Sequence, residues 1–286
     1  LNQPPAGKPG DLGVVYDAEN RFLALGLYDP HSDISLRVLQ AGARVEIDQA
    51  FFAGRFRQAL AVRESLEAEG TTGYRVLNGE NDGFPGLVLD RYGDTAVMKI
   101  YTRAWIPHLD KILPCAESLL RAERCVLRLS RNAQDCPRDG DDFKDGQILF
   151  GPPLDAPACF RENGLGFEAD VFKGQKTGFY FDQRDNRRLV RDMAKDKTVL
   201  NVFSYSGGFS VYAFAGGCRS VHEIDLNPHA MLAAKANVAL NFPERAANAT
   251  DYRQTLGDAF EELERLRGRK QAFDMAILDP PAFARN

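Results

Sequence analysis

Apolar positions near the start of the chain follow a strand period. Leu12–Tyr16 and Phe22–Tyr28 flank the polar stretch Asp17–Arg21, which is a hairpin pattern, and Ile34–Leu39 alternates as a third strand. The period then lengthens. Phe52, Phe56, Ala59, Leu60, Val62 and Leu66 recur at helical spacing, predicting one helix from Phe51 to Glu69 that Gly70 ends. Strand patterns return at Tyr74–Leu77, Leu87–Asp90 and Thr95–Tyr101, with a Gly/Asn/Asp-rich turn over Asn78–Gly86. A helix is predicted over His108–Arg121, a strand over Val126–Leu129, and a polar loop over Asn132–Asp145.

At Phe160 the character changes. Glu168–Phe172 reads as a strand, Lys173–Asp185 as a connection and Arg187–Lys195 as a helix. Strand and helix then alternate: Val199–Phe203, Phe209–Ala215, Ser220–Ile224, His229–Leu240, a helix at Ala259–Arg267 and a strand at Phe273–Leu278. Parallel strands need crossovers, usually helical, so this alternation implies a doubly wound α/β sheet. The predicted organisation is a β-rich domain over residues 1–48, a mixed α/β central domain over 49–158 and a Rossmann-like domain over 159–286.

Composition adds limits. At 44% hydrophobic and 27% charged residues the chain is an ordinary globular protein. No apolar run is long enough to cross a bilayer, and LNQPPAGKPG lacks the blocks of a signal peptide, so a cytoplasmic protein without a membrane partner is expected. The net charge of −4 does not mark a nucleic-acid binder. Lys173–Lys197, however, holds eight Lys/Arg against four Asp, which is either a solvated face or a phosphate-contacting patch. The five cysteines form no CxxC pair and no His lies at ligand spacing, so no metal is expected.

Open α/β sheets bind ligands beyond the carboxyl ends of their strands, and four features fall there. Phe203-Ser-Tyr-Ser-Gly-Gly-Phe-Ser210 is a glycine turn between strand and helix, where backbone approaches a ligand closely. It departs from GxGxxG, which argues against a dinucleotide. Asp225 ends the next strand and is placed to accept ribose hydroxyls, although such an acid is often only a helix cap; Glu223 lies before the strand end and is less well placed. Asp258 in Gly257–Phe260 suits an adenine amino group or another cap equally. Asp279-Pro280-Pro281 closes the last strand with two residues that donate no hydrogen bond, and Phe283 follows as a stacking platform for a base.

Together, Phe203–Ser210, Glu223–Pro228, Gly257–Phe260 and Ile277–Phe283 resemble the class I S-adenosylmethionine-dependent methyltransferases that modify 23S ribosomal RNA, most closely the RlmI-like family acting on cytosine C5. Gly174–Arg187 is similar to that family's signature segment, and the likeness runs back through Asn78–Asp94 and Phe51–Glu64. Asp11–Leu39 resembles a PUA domain, a small RNA-binding β module. The resemblance implies a class I methyltransferase domain preceded by a PUA-like domain and a mixed α/β central domain, with S-adenosyl-L-methionine as cofactor. It assigns Phe203, Ser204, Tyr205 and Gly207 to the methionine end, with Gln183 and Arg184 lining the same pocket and Arg184 paired with the carboxylate. Asp225 would hold the ribose and Asp258 the adenine. Asp279 and Pro280 would face the transferred methyl and the target base, with Pro281 and Phe283 as further substrate-binding candidates. The implied partner is 23S-type ribosomal RNA, and a homodimer stays open.

Cytosine C5 is a poor nucleophile until a cysteine thiolate adds to C6. None of Cys115, Cys125, Cys136, Cys159 and Cys218 falls beside Asp279, so the resemblance implies a nucleophilic Cys beyond Asn286. The Rossmann-like domain accordingly reads as C-terminally incomplete, and the 286 residues alone are expected to bind cofactor poorly and not turn over. A guanine ring nitrogen, which needs no cysteine, and a non-catalytic RNA-binding role on the same fold remain alternatives.

Overall fold

A computed structural model describes residues 7–137, 140 and 142–281. They form two compact units. The first joins residues up to Ala158 with Asp170–Gly178, and the second joins Cys159–Ala169 with the chain from Phe179 on.

In the first unit β1 (Leu12–Tyr16), β2 (Phe22–Tyr28) and β3 (Leu36–Ala41) make an antiparallel sheet. A five-stranded sheet follows, built from β4 (Gly73–Asn78), β5 (Leu87–Tyr92), β6 (Thr95–Ile100), β7 (Arg124–Leu129) and β8 (Ile148–Phe150), in sequence order. Leu77, Leu87, Leu89, Met98, Ile100 and Leu127 of this sheet share one core with helices α1 (Gln49–Val62) and α3 (Leu109–Ser118). The single helix predicted over 51–69 is in fact two, α1 and the short α2 (Ser65–Ala68). The break falls at Arg63, whose guanidinium donates to Ala59 O of α1 at 2.7 Å, Arg75 O at 2.5 Å and Asp82 Oδ2 at 2.6 Å. The predicted loop after Val126–Leu129 begins with one more short helix, α4 (Arg131–Asp135).

The second unit opens with a hairpin, β9 (Ala158–Glu162) and β10 (Leu165–Ala169). Asn163 and Gly164 both have positive φ, 51° and 80°, as a two-residue turn of this hand requires. The strand predicted at 168–172 therefore lies earlier than expected; Asp170 ends it by accepting Phe172 N and Lys173 N, both at 2.9 Å. Helix α5 (Arg184–Met193) leads into β11 (Thr198–Val202), α6 (Gly208–Ala215), β12 (Ser220–Asp225), α7 (Pro228–Asn241), α8 (Pro243–Ala247), β13 (Tyr252–Leu256), α9 (Ala259–Gly268) and β14 (Met275–Leu278). The strands form one parallel sheet in the order β13-β12-β11-β14. Asn227 caps α7 by accepting His229 N at 2.9 Å, with Pro228 in the first turn. β13 and α8 had no counterpart in the sequence pattern.

A buried ion pair ties the hairpin to this sheet's helices. Arg187 of α5 binds Glu162 of β9 through two bonds of 2.7 and 2.6 Å, and Tyr212 of α6 donates to the same carboxylate at 3.0 Å. Arg187 thus leaves the basic run Lys173–Lys197 and becomes part of the core.

Candidate cofactor and active site

Strand register sets the site. Val202 pairs with both Ile224 and Leu278, and Asp225 with Leu256. Phe203, Asp225, Gly257 and Asp279 therefore all emerge at one edge of the sheet. The chain winds outward from β11 through β12 to β13, then returns to lay β14 on the other side of β11. Such a reversal of direction opens the crevice in which doubly wound sheets hold ligands.

The turn at the centre is unusual backbone. Phe203, Tyr205 and Gly207 have φ of 61°, 47° and 73°. Left-handed conformations cost non-glycine residues energy and persist only where the surroundings impose them. Here Ile224 O accepts Phe203 N at 2.9 Å and Ser204 N at 3.2 Å, and Ser204 O accepts Gly207 N at 2.9 Å. Asp225 Oδ2 accepts Tyr205 N at 2.8 Å. Asn237 of α7 donates to Ser206 O at 3.0 Å while its own oxygen accepts Glu168 N of β10 at 2.8 Å. A Cβ on Gly207 would stand 2.9 Å from Ala234 Cβ and 3.0 Å from Glu223 Oε1. Ser204 is buried with its hydroxyl on the Met231 sulfur, 3.6 Å away, so its side chain belongs to the floor of the turn.

The three strand-end acids differ in their bonds. Asp225 accepts Tyr205 N on one oxygen and Asn227 N, at 2.9 Å, on the other. Each oxygen keeps a lone pair for a further donor. Asp258 caps α9 with Oδ1 alone, which accepts Phe260 N at 2.9 Å and Glu261 N at 3.2 Å. Asp279, Pro280 and Pro281 lie exposed beyond β14. Phe283 lies outside the described residues. At the start of α5, Gln183 accepts Asn186 Nδ2 at 2.6 Å and Arg184 contacts Asp185 at 3.3 Å.

Three residues that sequence reasoning passed over join this rim. Tyr180 packs edge-on against Tyr205, ring centres 5.2 Å apart. Burial first, then the charges of Asp182 and Asp279, push its phenol pKa up, so it stays a protonated donor near Asp279. Phe260, 62% exposed, meets Phe203 edge-on at 6.4 Å, and Leu226, 69% exposed, follows Asp225. Large apolar side chains left in water beside two carboxylates suit a flat, polar-edged ligand. An aromatic two residues after a capping acid, as in Gly257–Phe260, was the available signal for Phe260.

An adenosine carrying an amino-acid tail fits this donor and acceptor set. Asp225 offers acceptors to a diol, the uncapped oxygen of Asp258 one to an amine, Phe260 and Leu226 an apolar rim, and the left-handed turn from Phe203 to Gly207 brings backbone to the strand ends. Residues 141–286 match the model of the S-adenosylmethionine-dependent methyltransferases. The chain belongs to that family.

Residues 1–41 of the methyltransferase match a PUA-like domain. The chain is 48% identical to a Deinococcus radiodurans protein named ribosomal RNA large subunit methyltransferase, over 98% of its own length and 68% of the relative's. It is 36% identical to ribosomal RNA large subunit methyltransferase I of Pseudoalteromonas translucida, over 98% of its length and 70% of that protein. A chain solved in complex with SAH superimposes with a TM-score of 0.82 at 24% identity, covering 99% of this chain and 71% of that one. The methyltransferase uses S-adenosylmethionine, on the class I Rossmann-like fold that the sequence implied.

Four of the methyltransferase's thiols are held protonated. Burial raises Cys125 to about 12 and Cys218 to about 11, and it also raises Cys115 and Cys136. This is the reverse of what a nucleophilic cysteine needs.

Proposed function

We propose that this methyltransferase modifies a base of large-subunit ribosomal RNA in the cytoplasm, with cytosine C5 as the target atom. The observation that carries the RNA assignment is the 48% identity, over nearly the whole chain, to a protein named for that substrate. The target atom rests on the resemblance of the strand-end motifs to the RlmI-like family. Bound S-adenosylmethionine supplies an electrophilic methyl group.

The protein's part is to hold, orient and exclude water. Asp225 holds the ribose and Asp258 the adenine amino group, with Phe260 and Leu226 against the ring. Phe203, Ser204, Tyr205 and Gly207 shape the pocket for the methionine end, and Arg184, beside Gln183, neutralises its carboxylate. Asp279 and Pro280 face the target base, Pro281 and Phe283 flank it, and Tyr180 donates to its polar edge. Carbon chemistry needs a thiolate, and the raised thiols of Cys115, Cys125, Cys136 and Cys218 do not serve. The nucleophilic cysteine that the RlmI-like resemblance implies is none of these four.

The test is transfer of labelled methyl by the protein at its natural length to ribosomal RNA from cells lacking it, followed by nucleoside analysis. Label in 5-methylcytidine is expected. Label in an N-methylguanosine refutes the target atom, and absence of label refutes the substrate.

A further inference from the structure

One ionisable group beneath the cofactor turn has no part in holding cofactor or base. Glu223, on β12 two residues before Asp225, is fully buried. Its Oε2 accepts Tyr252 Oη at 2.5 Å and Gln254 Nε2 at 3.0 Å, and Gln254 also donates to Met231 O of α7 at 2.8 Å. Its Oε1 has no hydrogen-bond partner among the described residues, and neither has Oδ1 of Asn201. Those two orphans belong to neighbours, since Asn201 and Glu223 are register partners on β11 and β12. Both also meet Ser210 in the first turn of α6. Ser210 Oγ accepts Asn201 Nδ2 at 2.9 Å and faces the Glu223 carboxyl.

Ser210, which accepts from Asn201, has its own hydroxyl hydrogen to give to one of these two buried acceptors, and a proton on the carboxyl provides for the other. The surroundings demand the same proton. Among the described residues the charged group that bears on Glu223 is the carboxylate of Asp225, which also raises its pKa. A lone carboxylate in a dry interior takes up a proton rather than remain charged. Burial is the largest influence on its pKa and raises it, against the opposing hydrogen bonds of Ser210, Tyr252 and Gln254.

We propose that Glu223 is a neutral carboxylic acid, protonated on Oε1, which donates to the Asn201–Ser210 pair and so fixes the floor under the cofactor turn. Asn201 lies on the strand that enters the turn, two residues before Phe203, and Ser210 lies on the helix that leaves it. The proton ties entry to exit, and Gly207 rests directly on the acid, with room for no Cβ at 3.0 Å from Oε1. Glu223 is thus a positioning residue that touches neither cofactor nor base. The inference does not depend on which nucleotide is methylated.

Infrared spectroscopy of the protein near neutral pH tests it, with E223Q as the difference partner. A protonated-carboxyl C=O stretch is expected in the parent and absent from E223Q. The glutamine amide offers a donor and an acceptor in the same place, so E223Q should bind S-adenosylmethionine as tightly as the parent. E223A, which offers neither, should bind about tenfold more weakly. Because the folded-state pKa lies above its ordinary 4.5, the parent's stability declines as pH rises through that folded value, whereas that of E223Q does not. If E223A fails to fold, the infrared band and the E223Q pH profile decide. Absence of the band, or loss of cofactor binding in folded E223Q, overturns the proposal, because either means that the charge itself is required.

Discussion

Asp225 and Asp258 make a paired test of the cofactor site, because the same change should act differently at each. Both oxygens of Asp225 accept backbone N–H groups, from Tyr205 at 2.8 Å and Asn227 at 2.9 Å. In D225N the amide presents one oxygen and one NH2, so in either orientation one of those N–H groups faces a donor. Losing a charge-assisted bond of this kind costs about 1.5–3 kcal/mol. If the turn must be set before cofactor binds, affinity falls roughly ten- to a hundredfold. Asp258 instead uses Oδ1 for both of its cap bonds. Asparagine caps a helix as well as aspartate does, so D258N leaves unliganded stability unchanged and turns only the outer atom from acceptor to donor. Its affinity should fall by about tenfold through loss of the proposed adenine contact. Titration calorimetry with S-adenosylmethionine, together with thermal unfolding without ligand, reads both effects. Parent affinity in D225N, or a lowered unliganded Tm in D258N, refutes this account of the two acids.

R187M strands the Glu162 carboxylate in the core and should cost about 3–5 kcal/mol in denaturant unfolding, most of it recovered in R187M/E162M; a fully stable single mutant would show the pair to be dispensable. G207A combines a left-handed residue, about 1–2 kcal/mol, with overpacking against Ala234, about 1–3 kcal/mol, and calorimetry should detect no cofactor binding. Parent affinity in G207A would mean that the turn moves freely. Burial, aided by Arg253, holds the His222 pKa down to about 4 from an ordinary 6.5. Its stability contribution is therefore complete above the ordinary value and lost as pH falls toward 4, and a Tm series on H222Q should lack that part of the acid decline.

Much of the α/β half is legible because local and global signals agree there. The apolar run of β11, the Gly207 turn and the Asn227-Pro228 cap each specify what the fold needs. The misses have a shared cause: polar side chains whose partners lie far along the chain. β9 carries Glu162, a charge that spoils the strand pattern until Arg187 neutralises it, and the Asn163-Gly164 turn signal goes unread beside it. β13 looks like a polar connection because Gln254 and the Tyr252 hydroxyl serve Glu223 on the adjacent strand. The helix predicted through Arg63 divides there, where the guanidinium reaches Asp82 in a later turn. At the site, the acids announce themselves by position at strand ends, whereas Tyr180 gains its place only when its ring meets Tyr205.

The amide of Asn237 bears on the order in which the molecule assembles. It joins the Glu168 N–H of the hairpin to the Ser206 carbonyl of the cofactor turn, yet it is synthesised after both. Each of those groups waits for the same late-arriving helix, so neither is finished by local folding alone. The turn meets this amide across 31 positions and the hairpin across 69, both the slower, non-local kind of contact. Cofactor competence is then a late event in the life of the nascent chain. In pulse-labelled refolding, the Glu168 amide should gain protection in the same phase that restores binding; protection in an earlier, separate phase would uncouple them.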